Sequence, residues 1–525
     1  MPDPVVVIGA GPVGQTAALL LARWGLRVIM LDQRLERDPV GSKAICQQRD
    51  VLDIWAAVGA GAIAGEGLTW TTARTYYRDR ELFSWTFTDR GRSPLPPFVN
   101  ISQARTEEIL DGCVAAADLI EMRWGHEVSG LTQDADGVTV ECANGAVVQA
   151  AYVIACTGAR GGVVRRALGL RFAGTSFDDR FLICDIRAEL PGWEDERRFH
   201  FDPPWNPDRQ VLIHPCPGST YRIDWQVPPG FDLAAEEADG RLDRRIRQVT
   251  GGRPYEIVWR SVYRFHSRIV DRMRVGRVLL AGDCAHLVAP FGARGLNSGV
   301  PDAENAAWKI AFVARGWAPA DLLETYHLER HAAALENLEV TGATMRFLVP
   351  QGEAEWRARR EILHAGAADR ATAAATVDSG RFAEPYWYVD SPLTTPEPSR
   401  PFSGRPPKGH VPLPAPGVIV PDAPVTIPRR PHAVRLREVV REGLTLLLSA
   451  ECDHEALGRS ARRATAAPLT VLRLHEIDPS GRLAEALTAR PGEAWLIRPD
   501  AHIAAVLPAA DPSAVAVAVR RVLTA

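Results

Sequence analysis

Val5-Val6-Val7-Ile8-Gly9-Ala10-Gly11-Pro12-Val13-Gly14 sets the reading of the chain: a β-branched run, a glycine turn, then Gln15 to Trp24, rich in Ala and Leu. That order predicts strand, turn and helix. Gly25 closes the helix, and Arg27 to Leu31 reads as a second buried strand ending at Asp32, about 20 residues beyond the glycines, which makes a βαβ unit. Gly9, Gly11, Pro12 and Gly14 form a turn through which backbone approaches a pyrophosphate at the helix N-terminus. Asp32 stands where a carboxylate accepts hydrogen bonds from an adenosine ribose. A carboxylate there repels a 2′-phosphate, so FAD or NAD fits better than NADP.

A second motif lies far downstream. Val278-Leu279-Leu280-Ala281-Gly282-Asp283-Cys284-Ala285-His286 reads as a buried strand ending in Gly-Asp. Pro290-Phe291-Gly292-Ala293-Arg294-Gly295-Leu296-Asn297 reads as a glycine-bearing loop, and a helix is predicted from near Asn297 to about Gly316, through Asp302-Ala303-Glu304. A lone His at such a turn is more often a packed, hydrogen-bonded residue than a catalyst, and His286 is expected to be structural.

Outward from these motifs, the 525 residues allow about three domains. A net charge of −3 leaves no positive field to hold nucleic acid or an anionic membrane. Only Lys43, Lys309 and Lys408 among the 61 basic residues are lysines, a bias of composition. The eight cysteines are scattered, with no C-x-x-C and no His-rich partner segment, so neither a metal site nor a disulfide framework is expected. Met1 leads straight into the apolar strand, with no basic region or cleavage site, and no stretch reaches about 18 apolar residues. A soluble, cytoplasmic protein is expected.

Arg105 to Ala116 looks helical, and Gly137 to Glu141 and Ala146 to Ala155 look like strands flanking the Asn144-Gly145 turn. The expected organisation is α/β: a Rossmann-like dinucleotide domain over residues 1–170 and 272–390, with about 72–100 contributing to a second domain. That second domain is an antiparallel β-sheet inserted over 171–271, where short alternating strands rich in Phe, Trp and Pro appear. Residues 391–427, dense in proline, read as an extended connector on the surface, and 428–525 as a small α/β domain.

The two motifs, at this spacing, resemble the class A flavoprotein aromatic hydroxylases, especially the group of 3-(3-hydroxyphenyl)propionate hydroxylase and related phenol and polyketide hydroxylases. The resemblance covers about residues 1–350. It implies an FAD-dependent monooxygenase that takes NADPH or NADH and O2 and hydroxylates a small aromatic substrate through a C4a-hydroperoxyflavin, with no nucleic-acid or membrane partner and a homodimer allowed. Asp283 would accept hydrogen bonds from the ribityl hydroxyls, and N–H groups of Gly295, Leu296 and Asn297 would meet the flavin pyrimidine ring, where a helix N-terminus stabilises negative charge. Gln103 matches a glutamine that contacts FAD, and Lys43 stands where the family usually has an arginine near the flavin. Gln33, Arg34, Val128, Thr157, Gly158, Gly282, Pro290 and Gly292 complete the expected cofactor set.

In Tyr221-Arg222-Ile223-Asp224-Trp225-Gln226, Arg222 is similar to the arginine of the substrate sheet that steers the flavin. Strand alternation puts Arg222, Asp224 and Gln226 on one face. His214, Asp224 and Pro290 are the expected substrate contacts, with His214 as the proton acceptor and Arg222 as the second catalytic candidate. One departure stands out: the family's Asp-Gly after the strand Tyr152 to Ala155 is replaced by Thr157-Gly158, a loss of a carboxylate associated with FAD and nicotinamide binding. The C-terminal region resembles the thioredoxin-like domain appended to many relatives, with Trp495-Leu496-Ile497-Arg498-Pro499-Asp500 fitting the pattern and Cys452 alone, so no redox role is expected. Two other classes share the nucleotide-binding residues and stay open: an FAD oxidase or dehydrogenase, and a flavin-binding protein without catalysis.

Overall fold

A computed structural model describes residues 3–38, 41, 43–87, 89, 93–377, 380, 382–407, 410–427 and 434–524. Ser42, Lys408 and the start of the C-terminal region at Pro428 lie outside the described residues. Six strands form the first sheet, in the order Arg274–Val275, Val278–Leu280, Tyr152–Ala155, Val5–Ile8, Val28–Leu31 and Ile120–Arg123. All pairs are parallel except the hairpin at the first edge. Val5–Ile8, Val28–Leu31 and Tyr152–Ala155 are buried at every residue, as a parallel sheet covered on both faces requires. Because Val5–Ile8 leads to a neighbour on one side and then, after a long excursion, to one on the other, the strand ends open a crevice at Gly9.

The stretch from Ala146 to Ala155, expected as one strand, is two. Val147–Ala150 belongs to a three-stranded antiparallel sheet with Val128–Gln133 and Val138–Cys142, and the chain changes sheets at Ala151. The downstream helix also starts earlier than expected, as Arg294–Ala314, with Pro301 inside it.

The inserted sheet has eight strands, in the order His286–Leu287, Tyr255–Val270, Phe172–Ala188, Thr220–Val227, Gln210–Cys216, Glu196–Phe201, Thr72–Tyr77 and Arg80–Thr86. Phe172–Ala188 and Tyr255–Val270 run antiparallel, bent where the register shifts between Ser176 and Arg180 and between Asp185 and Ile186. The edge strand His286–Leu287 follows directly on the Gly282-Asp283 turn, so the second glycine motif is the seam between the two sheets.

The last sheet is ordered Leu469–Arg473, Leu444–Leu448, Ala494–Ile497, Ile503–Leu507, with its first pair parallel and the others antiparallel. Helices His454–Ala464 and Pro512–Leu523 share a core with Trp308, Phe312 and Leu322 of the first domain. The segment 391–427 is not a surface connector throughout: Leu393, Ala415, Val418, Val420 and Ala423 are buried, Leu393 in the core shared with Trp308, Val420 and Ala423 against the last sheet, and Ala415 and Val418 with Trp387.

Buried ion pairs cross the same boundary. Arg498 Nη1 and Nη2 donate to Glu329 at 2.5 and 2.9 Å, Lys309 Nζ joins the same carboxylate at 2.6 Å, and Trp308 Nε1 donates to Asp500 at 3.1 Å. Arg441 reaches Glu304 at 2.7 Å and Asp53 at 2.5 Å. Charges this deep are tolerated only when each is met by its counter-charge. Among the described residues no helix is long and apolar enough to cross a membrane, and no group of His, Cys, Asp and Glu is arranged to hold a metal.

Candidate functional site

The first glycine turn is built for close approach. Gly9 has φ +104°, and a Cβ there would lie 2.4 Å from Cys156 O; a Cβ on Gly14 would lie 1.9 Å from Gly9 O. These two let the helix press on the strand. Gly11 is different, since a Cβ there would meet nothing within 4 Å and would project into open space. Pro12 takes the first helical position, where its missing N–H costs nothing. Asp32 is held by the Ala10 N–H at 2.7 Å and by Arg34, whose backbone N–H and Nε both donate at 2.9 Å. Burial raises the Asp32 carboxyl, but these donors outweigh it and hold it below its ordinary value.

Beside this turn lies a network the sequence did not disclose. Arg37 donates to Ala10 O at 2.7 Å, to Glu107 at 2.8 Å and to Asp111. Gln103 joins it, accepting from the Ala44 N–H at 3.0 Å and donating to Glu107 at 2.8 Å.

At the second motif, Asp283 opens onto the cleft and has no hydrogen-bond donor among the described residues. The side chain is exposed to the cleft, but the protein atoms crowded around it keep water sparse and push its carboxyl up, with His286 and Lys43 pulling the other way. Asp302 fixes this turn from behind, accepting from the Gly282 N–H at 3.0 Å and lying 2.7 Å from His286 Nε2. Its other oxygen accepts from Arg330 Nε at 2.6 Å. His286, 1% exposed, is thus part of the scaffold. Asp302 appears in the sequence as part of the motif, but Arg330 carries no local signal. Asn297 is committed to structure, accepting from the Gln48 N–H at 2.8 Å and donating to Cys46 O at 2.9 Å. Thr157, in place of the acid, donates to Cys284 Sγ at 3.0 Å, and Gly158 begins a 3-10 turn with φ +66°.

On the inserted sheet, Arg222 makes a two-pronged pair with Asp185, at 2.6 and 2.9 Å, and donates through Nη1 to Lys43 O at 3.1 Å. Asp224 lies next along the face, with its Oδ2 3.9 Å from His214 Nε2, beyond hydrogen-bond range. Burial, with Arg197 and Arg222 close by, drives the His214 imidazole well below its ordinary value, so it is neutral and a weak proton acceptor near pH 7. Gln226 is on the same face but is spent on structure, donating to Asp179 at 2.8 Å and accepting from the Gln210 N–H at 3.3 Å.

One cleft of about 1670 Å³ connects these places. Gly9, Gly11, Pro12, Asp32, Gln33 and Arg34 of the first motif line it, as do Lys43, Gln103, Val128, Thr157 and Gly158, and Gly282, Asp283, Pro290, Gly292, Gly295 and Leu296 of the second motif. His214, Arg222 and Asp224 of the inserted sheet line it too, while Gly14 and Asn297 are not among its lining residues. Such a volume exceeds the roughly 300–1,000 Å³ of a single small-molecule site and leaves room for a dinucleotide and a second ligand. The open cradle at Gly11, the unpartnered Asp283 carboxylate and the N-terminus of Arg294–Ala314 fit FAD.

Comparison with known proteins agrees with this geometry. Residues 3–341 match the FAD binding domain family. A 3-(3-hydroxy-phenyl)propionate/3-hydroxycinnamic acid hydroxylase of Mycolicibacterium gilvum is 31% identical over 378 residues, 69% of this chain and 63% of that protein, so less than two thirds of its length is spanned. A flavin-dependent monooxygenase of Mycobacteroides abscessus is 32% identical over 69% of this chain and 78% of its own. The crystal structure of the flavin-dependent monooxygenase PieE, in complex with FAD and substrate, superposes with a TM-score of 0.85 at 24% identity, over 100% of this chain and 99% of that one, which shows the fold.

Proposed function

The chain belongs to the FAD binding domain family, and from that premise we propose that it is an FAD-dependent monooxygenase that hydroxylates an aromatic, phenolic or polyketide-like substrate with NAD(P)H and O2. The observation that carries this reading is the continuity of the cleft, from the glycine cradle past Asp283 to an aromatic-walled sheet face bearing Arg222 and Asp224. FAD, when bound, supplies the chemistry of accepting hydride and delivering one atom of O2 to electron-rich carbon.

The protein's own share is binding, orientation and dryness. The Gly9 to Gly14 turn and Asp32 would hold the pyrophosphate and ribose of FAD. Asp283 would take its ribityl hydroxyls, and the N–H groups at Gly295 and Leu296 would stabilise negative charge developing on its ring system. Lys43 and Arg222 tie the cofactor loop to the substrate sheet, since the arginine donates to the lysine's carbonyl. Phe181, Trp259, Tyr263 and Phe291 supply flat apolar walls that exclude water and accept an aromatic ring.

We assign residues 434–524 as a thioredoxin-like domain, supported by its strand order and flanking helices. Cys452 stands alone after the first strand of that sheet, and burial raises its thiol, which supports a packing role. All eight cysteines are free thiols, in keeping with a reducing, cytoplasmic setting.

The test is direct. The purified protein should be yellow with stoichiometric FAD, and a panel of phenols, naphthols and hydroxyanthraquinones should contain members that accelerate NADPH or NADH oxidation and gain oxygen-18 from labelled O2. Accelerated oxidation with peroxide but no labelled product would make it an oxidase.

A further inference from the structure

We propose that Asp224 is the proton acceptor for a hydroxyl on a flat, fused-ring phenol bound against the inserted sheet. The proposal rests on the functional reading above and deepens it.

The sheet register puts two rows of side chains across the cleft wall. One row, Asp185, Arg222 and His214, is polar; in the next, Ile183 and Leu212 are direct cross-strand partners of Asp224. Asp224 is therefore a lone carboxylate in an apolar row, facing a cavity with aromatic walls. A carboxylate so placed for structural reasons would be bonded. Instead Oδ1 is buried with no hydrogen-bond partner, and Oδ2 is 3.9 Å from the nearest candidate, His214 Nε2. Buried polar atoms are rarely left so, and an open acceptor in a cleft awaits a donor. The two polar side chains flanking it in the next row are otherwise engaged or weak. Asp185 spends both oxygens on Arg222, and His214 is neutral with its basicity suppressed.

The charged surroundings agree. Burial raises the Asp224 carboxyl to about 7, Arg222 on its own strand and Arg197 two strands away pull it down, and Asp185 pushes it up. Lys43 lines the cleft from the cofactor loop, and the neighbouring Cys184 and Cys216 thiols, at about 12, stay neutral. An acceptor near 7 is poised to take a proton and return it. In the step, the phenolic O–H bond breaks, the proton passes to a carboxylate oxygen of Asp224 and the electron pair stays on the phenolate oxygen, raising electron density on the ring carbon that is hydroxylated. The proton goes back to the same oxygen on the product.

The holoenzyme is assayed with 1-naphthol and 1-hydroxyanthraquinone, and with their methyl ethers, which carry no such proton. For the hydroxyl probes, wild-type kcat/KM should rise as pH passes through about 7, the pH at which Asp224 ionises. Asp224→Asn should keep its FAD and lose that limb along with about a hundredfold of kcat/KM, and Asp224→Glu should restore the limb at reduced rate. Turnover of the methyl ethers should be slow and the same in wild type and Asp224→Asn. An Asp224→Asn enzyme with an unaltered pH profile overturns the proposal, as does an equal loss on the ethers, which marks a packing role. If FAD is bound and no hydroxyl probe is turned over by the wild type, the functional reading falls and takes this one with it; if the wild type works and the variant matches it, only this one falls.

Discussion

Arg222 and Asp185 meet side by side across adjacent strands, Nε to Oδ1 at 2.6 Å and Nη2 to Oδ2 at 2.9 Å, with both side chains more than nine-tenths buried. Removing one partner strands the other. Arg222→Met should therefore destabilise the protein by about 3–5 kcal/mol, and adding Asp185→Leu should recover most of it, because a buried pair exchanged for apolar groups is close to neutral. Thermal unfolding followed by circular dichroism checks the order wild type, double variant, single variant.

Gly11 and Gly14 differ in what surrounds them, and alanine should separate them. Gly14→Ala drives a Cβ to 1.9 Å from Gly9 O and should lower the stability of the FAD-free protein. Gly11→Ala meets no protein atom within 4 Å, so the FAD-free protein should melt as wild type does while FAD affinity falls at least tenfold. Equal affinity in Gly11→Ala would remove that turn from the pyrophosphate site.

Asp283→Ala should act on the cofactor alone. The carboxylate has no internal donor to lose, whereas ribityl hydroxyls left unpaired cost about 1–3 kcal/mol. The variant should be isolated with most of its FAD missing, and wild-type FAD content would refute the assignment.

Asp224 sets a pH dependence with a definite sign. Its carboxyl lies at about 7 in the folded protein against about 3.9 in an unfolded chain. Between those values the folded state holds a proton that the unfolded state has released, so the contribution to stability is full below about 4 and lost as pH rises through 7. Asp224→Asn, which never ionises, should melt higher than wild type at pH 8, with the gap closing toward pH 4.

Cys452→Ser should leave turnover unchanged. Its Sγ donates to Glu493 O at 3.3 Å, a bond a serine hydroxyl can replace, and burial keeps the thiol protonated. A large loss of activity with FAD retained would assign the C-terminal domain a redox part.

What could be read from sequence was local. The strand, glycine turn and helix from Val5 to Trp24 announce themselves because backbone geometry admits few residues there, and the alternation of Arg222 and Asp224 follows from the two-residue period of a strand. That same period places Gln226 on the face as well but carries no sign that Asp179 and Gln210 consume it. Arg330, Arg37 and Asp185 stayed hidden because each matters only through partners tens of residues away, and pairing of that kind leaves no periodic trace. The proline-rich stretch misled for a related reason: proline forbids a helix there but says nothing about burial, and Val418 and Val420 are inside.

The arginines that cross from the last sheet have a consequence for how this protein can be recombined. Glu329, Glu304 and Asp53 belong to the front of the chain, and Arg498 and Arg441 to its end. Trading the tail with a relative's would bring in a surface without those guanidinium groups unless the donor sequence carries them at matching places, and would leave Glu304 and Asp53 buried without them and Glu329 with Lys309 as its remaining buried cation. Crossover libraries built on this scaffold will therefore yield stable progeny mainly where front and tail are inherited together.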